Sequence, residues 1–326
     1  MTKKAFYIIS AITFAIFVSL LIVVSVYNGS LDYSLSEYLV IGLGFGERYS
    51  DNFFGRFFET MGEQPLYLII QLFMIMAYII LDKHNHRKLC IAGQIVSAIC
   101  AVAAGFLCLH SIVKYLCCYY SPDSVWKNYF SLWPFITYLL FGIFSTLVWY
   151  FLFRKPFKIV FEKNALAVIE FMFVVFFTIL LSQVLIHLVI KPLFARVRYR
   201  AINVNSLLSF SPWYQTNNIP ANLGLNIEDD FRSFPSGHTA AASSTFVFML
   251  LPSYFSGMRT KKLKLICYLV PPIYTLAVAY SRIMVGAHYL SDVLFGWFLT
   301  FAIEWIVFFI ERKRNKEELL IRKKAM

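Results

Sequence analysis

An all-α transmembrane helix bundle is the architecture this sequence predicts, on the grounds of composition, the length of the apolar runs and the placing of charges between them. Of 326 residues, 59% are hydrophobic and 15% charged, and the mean hydropathy is +0.66. A soluble domain carries about a quarter charged residues. The composition therefore excludes an ordinary water-soluble enzyme, and equally a disordered or fibrous chain. Apolar runs of about 17 to 25 residues cross a hydrocarbon core of about 30 Å as helices, and the sequence reads as about eight of them.

The first, about Ala5–Tyr27, has a basic start like a signal peptide, but its apolar stretch is too long for one and no small-residue cleavage site follows, so it is expected to be an anchor. After it comes Asn28–Gln64, rich in aromatic and acidic residues. Its Phe53-Phe54-Gly55-Arg56-Phe57-Phe58 run suits either an interfacial helix lying on the membrane or an aromatic belt. The second span, Leu66–Leu81, is short; the third, Leu89–Val113, and the fourth, Phe130–Phe153, are full length. The fifth is Ala165–Ile190 and the sixth, again short, is Pro235–Leu251. Leu263–Tyr280 and Tyr289–Ile310 complete the set. This divides the chain into N-terminal spans (1–164), a core (165–310) and a basic tail (311–326).

Thirty Lys and Arg against eighteen Asp and Glu give a net charge of +12. In a soluble protein that excess would suggest nucleic acid; between membrane spans it first marks the cytoplasmic loops. With both termini cytoplasmic, the N-terminal Lys3 and Lys4, the loops after alternate spans and the tail together hold twenty of the thirty basic residues. No nucleic-acid partner is then implied. Half of the outer basic residues lie between Lys191 and Arg232: Lys191, Arg196, Arg198, Arg200 and Arg232. The topology rule does not explain them. Cys90, Cys100, Cys108 and Cys267 fall in spans, where cysteine behaves as a small hydrophobe. Cys117 and Cys118 are expected in an outer loop, and neither a disulfide framework nor a metal site is indicated.

Ionisable residues at membrane depth are costly and point to function. Three clusters of them fall on one side. Lys191 and Arg198, seven apart, are expected on one helix face and suit an anion; lipid-headgroup contact is the alternative for such a pair. Pro235-Ser236-Gly237-His238 reads as a helix start, with Ser233 as its expected cap and free N–H groups facing an anion. Ser281-Arg282 is followed by His288 and Asp292. The last two are four apart, so the acid can fix the imidazole tautomer, or the two can simply form a structural pair. Taken together, two histidines, an orienting carboxylate, several cations and a helix N-terminus suit phosphoryl transfer without a metal.

These residues resemble the type 2 phosphatidic acid phosphatase superfamily, whose site is shared with vanadium haloperoxidases. The family pattern of Lys, six residues, Arg-Pro, then Pro-Ser-Gly-His, then Ser-Arg, five residues, His, three residues, Asp occurs at Lys191–Arg198, Pro235–His238 and Ser281–Asp292. Tyr199 stands where the family has Pro. The segment Phe58-Glu59-Thr60-Met61-Gly62 also looks like a family outer segment. The resemblance implies a phosphatase core in the C-terminal half, preceded by two extra spans. It also implies that His288 attacks phosphorus to form a phosphohistidine, that Asp292 orients it, and that His238 protonates the leaving group and then activates water. Lys191, Arg198, Ser236, Gly237 and Arg282 would bind phosphate, with no cofactor. Arg196 and Arg200 would either extend this patch or be solvated loop charges.

Of the other histidines, His110 and His187 read as membrane-boundary residues, while Trp213, Tyr214, Asp229 and Asp230 are placed to shape substrate access. The expected activity is hydrolysis, at the outer leaflet, of a lipid phosphate or pyrophosphate of the undecaprenyl pyrophosphate, phosphatidic acid or phosphatidylglycerol phosphate type. The same site would serve a lipid-linked phosphotransferase, and a bundle of this size could instead be a lipid or anion transporter.

Overall fold

The computed structural model describes residues 3–82, 88–120, 131–217 and 227–325. Helix α1 (Lys3–Leu39) is followed by α2 (Phe53–Met61), α3 (Gln64–Asp82), α4 (Lys88–Tyr120) and the long α5 (Leu132–Val184). A π-helical turn (Leu185–Ile190) leads into the short helices α6 (Lys191–Phe194), α7 (Tyr199–Val204) and α8 (Ile227–Asp230). Then come α9 (Gly237–Ser243), a 3₁₀ segment (Ser244–Leu250), α10 (Leu251–Tyr254), α11 (Lys261–Met284) and α12 (Leu290–Ala325). No strand occurs among the described residues.

Six helical stretches among the described residues are long and apolar enough to cross a membrane, against the eight expected. Two physical features account for the difference. The expected fourth and fifth spans run together in one 73-residue stretch, Leu132–Val204. It leaves helical geometry at Asn164, whose φ is −142° and ψ 39°. The expected sixth span is the α9–3₁₀–α10 run, too broken to count as one span. Its residues 237–247 are all buried, because Ala240, Ala241, Ala242, Ser243 and Ser244 are small enough to let α11 and α12 close around them. Helix α4 continues through Cys117 and Cys118, which are therefore helical rather than in a loop; their side chains lie outside the described residues.

The chain forms two compact units, one of residues 1–59 with 173–326, the other of residues 60–172. In the second, α3 packs on α4. Buried Gln71 donates through Nε2 to Ser145 Oγ (2.9 Å), Thr146 Oγ1 (3.0 Å) and the Ala101 carbonyl (3.3 Å), which satisfies an amide that would be costly in an apolar core.

In the first unit α12 packs on α1 and α9. Phe17 of α1 stacks on Phe298 at 3.8 Å between centroids. Helix α1 bends at Val26–Gly29, where Tyr27 and Asn28 take left-handed φ of 52° and 57°. The helix resumes beyond the bend and carries Asp32. Helix α2 turns Phe53 and Phe57 outward and Glu59 inward, the reverse of a water-soluble helix. Its inner edge meets α11, with Phe58 against Tyr274 and Phe54 against Tyr280.

Candidate active site

The three sequence clusters converge in the first unit, the second as the expected helix start and the third as an i,i+4 pair, but the first not by the expected geometry. Lys191 and Arg198 do not share a helix face. Helix α6 stops at Phe194 and Ala195 is left-handed (φ 41°, ψ 43°), so the chain turns before α7 begins. The turn aims both side chains at one segment. Lys191 Nζ donates to the Arg232 carbonyl at 2.6 Å, and Arg198 Nε to the Asp229 carbonyl at 2.7 Å. The π turn just before Lys191 widens the helix where His187 sits. A side chain on Gly237 would come within 2.9 Å of the His187 ring, so His187 borders the site more closely than a boundary histidine should.

Ser236, not Ser233, caps α9. It lies outside helical φ/ψ and accepts from Thr239 N at 3.3 Å and from Thr239 Oγ1 at 3.0 Å. Its own N–H donates to the Asp292 carbonyl at 2.9 Å, which ties α9 to α12. The approach is close because Gly296 has no side chain; a Cβ there would collide with the Ser236 carbonyl. Ser233 instead donates to Asp292 Oδ2 at 2.5 Å.

His288 precedes α12 on a tight turn through Gly286 (φ 63°). Its Nδ1 lies 2.6 Å from the Ser233 carbonyl and 3.6 Å from Asp292 Oδ2. A carbonyl only accepts, so the proton sits on Nδ1 and the lone pair on Nε2. Arg198 Nη1 approaches that nitrogen at 3.4 Å. The direct orienting partner is thus the Ser233 carbonyl, with Asp292 acting beside it. Asp292 closes the first turn of α12 by accepting from the Tyr289 N–H at 2.9 Å, as the acid of a capping box does. Burial holds the His288 imidazole well below its usual range. The neighbouring Arg198, Lys191 and Arg282 charges push the same way, while Asp292 opposes them. His238 is buried at the start of α9, within electrostatic reach of Arg282, His288, Arg198 and Lys191.

The arginines of the site carry their own counter-ions. Arg282 Nη1 meets Glu59 Oε1 at 2.5 Å, and Arg200 Nη1 meets the same oxygen at 3.5 Å. Arg198 and Arg200 reach the two oxygens of Asp229 at 2.9 and 3.2 Å. Asp230 takes Arg48 at 2.5 Å. Arg196 and Arg200 are therefore not solvated loop charges: both are buried. Arg196 also faces away from the phosphate-binding candidates, toward Asp32 and Asp292.

Of the residues expected at the access route, Asp229 and Asp230 act as ion-pair partners. Trp213 packs on Phe295, and its Nε1 donates to Ser25 Oγ at 2.8 Å. His110 lies in the other unit, beside Phe106 and Tyr138. Asp32 and the Ser233 carbonyl had no local signal in the sequence. Glu59 did have one, since it lies in the segment that resembled a family outer stretch. Among the described residues no group of three or more His, Cys, Asp or Glu side chains is arranged to hold a metal ion.

No curated protein and no solved structure matches the chain. A family model, that of the PAP2 superfamily, matches residues 171–316. The stretch that supplies His288, Asp292, His238, Lys191, Arg198 and Arg282 is therefore similar to the PAP2 superfamily, the one its motifs resembled.

Proposed function

We propose that this membrane protein is a phosphatase that hydrolyses a lipid phosphate or pyrophosphate through a phosphohistidine on His288. The observation that carries the reading is the state of His288: buried, neutral, with Nδ1–H held by the Ser233 carbonyl at 2.6 Å and Nε2 turned toward Arg198. Nε2 is then a free base that can attack phosphorus while the P–O bond to the lipid breaks. Arg198, Lys191 and Arg282, with the Ser236 hydroxyl and the start of α9 at Gly237, neutralise the phosphoryl oxygens in a site of buried side chains. Asp292 stabilises the imidazolium character that develops on His288. His238 gives its proton to the departing alkoxide or phosphate, then removes one from the water that opens the phosphohistidine and regenerates His288.

The site faces the outer leaflet on this reading, since its basic residues run against the distribution of the other loops. The substrate is accordingly a lipid of the phosphatidic acid, phosphatidylglycerol phosphate or undecaprenyl pyrophosphate type. The test is phosphate release from each of these three lipids by purified protein and by His288→Ala. The variant is expected to lose at least about 10³-fold in kcat. Release that survives the substitution would sink the mechanism, and transfer of the phosphoryl group to an added alcohol in place of water would reassign the protein as a phosphotransferase.

A further inference from the structure

Asp32 lies on α1, outside the residues matched by the family and 259 positions away from its partner Ser291. Its carboxylate is nonetheless built into the floor of the site. Oδ1 accepts from the Ser291 N–H at 3.0 Å. Oδ2 accepts from the Ser291 hydroxyl at 2.5 Å and from Arg196 Nη2 at 2.9 Å. Arg196 then spans the gap to the pair beside it: Nη1 donates to Ser291 Oγ at 2.7 Å and to Asp292 Oδ1 at 2.6 Å. Its Nε is held by the Ser211 carbonyl at 2.8 Å, and its Cζ lies over the Tyr289 ring, 4.2 Å from the centroid. Asp32, Arg196, Ser291 and Asp292 are all at most 1% exposed, so no solvent competes for these bonds.

From this geometry we infer that Asp32 is a positioning residue for the His288–Asp292 pair, acting through Arg196 and Ser291. The inference rests on the reading of His288 as the nucleophile. Two carboxylates share one guanidinium. Because Asp32 engages Nη2, Arg196 presents a single N–H to Asp292 Oδ1 and leaves Asp292 Oδ2 for Ser233 and His288. Without Asp32, the guanidinium is free to turn its full fork onto Asp292, the preferred bidentate arrangement, which draws Oδ2 away from Ser233 and the imidazole. Asp32 also fixes the place from which Asp292 starts. It satisfies the Ser291 N–H in the first turn of α12, where a helix leaves its amides without internal partners and favours an anion.

Stability alone is a weak reason for this arrangement. A buried ion pair gains little over well-packed apolar residues, and α1 already meets α12 through the Phe17–Phe298 stack.

The experiment compares the full-length protein with Asp32→Asn, Ser291→Ala and His288→Ala, on whichever of the three lipids the wild type hydrolyses fastest. Activity is normalised to folded protein by size exclusion and thermal melting. Asp32→Asn keeps the side-chain volume and an acceptor for the Ser291 N–H but removes the charge. Its kcat is expected to fall by roughly 10- to 100-fold, with KM within about threefold of the wild type. Ser291→Ala cuts the same bridge while sparing both charges, and is expected to lower kcat severalfold; it carries the test if Asp32→Asn does not fold. Wild-type kcat per folded molecule in the folded variant, or a raised KM at unchanged kcat, would overturn the positioning role. Activity retained by His288→Ala, or no release by the wild type from any of the lipids, would instead overturn the reading of the site on which the role depends.

Discussion

His288 carries its own pH expectation. Burial holds the imidazole well below its usual range, and Arg198, Lys191 and Arg282 push in the same direction. The folded protein therefore binds fewer protons there than the unfolded chain does. This burial favours the fold above the unfolded pKa of about 6.5, and its contribution is lost as the pH falls below that value. On the proposed mechanism, His288 stays in its attacking form over the same range. The acid limb of kcat/KM is expected below pH 6.5; a limb assignable to His288 at or above that value would contradict the buried, neutral state. At this scale the sequence was informative about which residues come together and less so about how they are held. Spacing marked His288, Asp292, His238, Lys191, Arg198 and Arg282 because ionisable groups at membrane depth stand out against an apolar background. It could not show that Ser233 caps Asp292 rather than α9, since a serine hydroxyl one turn before a helix suits either task. Nor could it reveal Asp32 as the partner of Arg196, for no local pattern links residues so far apart.

At the level of elements, the start of α9 depends on contact with α12. Gly296 lets the Ser236 carbonyl close on the α12 backbone, and Gly296→Ala would drive a methyl group into it. Overpacking of this kind costs about 1–3 kcal/mol. Thermal melting of the purified variant is expected to shift down by several degrees, with activity per folded molecule also reduced because Ser236 must move. An unchanged melting temperature would show that the two helices part more easily than their packing implies. The same level explains why a seven-residue spacing misled. Lys191 and Arg198 do converge, but across the left-handed Ala195 and not along a helix. Alanine is a good helix former, so its composition gives no warning of a break. The short sixth span was legible as short; its interruption by a 3₁₀ segment follows from packing among small residues that periodicity does not register.

At the scale of the molecule, the bundle class was evident from composition, whereas the count of spans was not. The expected fourth and fifth spans run on through Pro156 as one stretch that leaves helical geometry only at Asn164, and α9 is buried by neighbours rather than by lipid. The proposed orientation has a direct check. In a chain stripped of its native cysteines, Tyr214→Cys should react with a membrane-impermeant thiol reagent on intact cells, and Lys163→Cys only after permeabilisation. The opposite pattern would place the site at the cytoplasmic face.

The union of residues 1–59 with 173–326 in one compact unit bears on how the protein is made. Asp32 is synthesised well before Ser291 and Asp292, which complete its bonding with Arg196 and arrive only with α12. Until α12 is inserted, the nascent chain holds a carboxylate and a guanidinium at or near membrane depth without their full set of partners, a costly state in hydrocarbon. A chain truncated before α12 is expected to hold Asp32 and Arg196 without those partners.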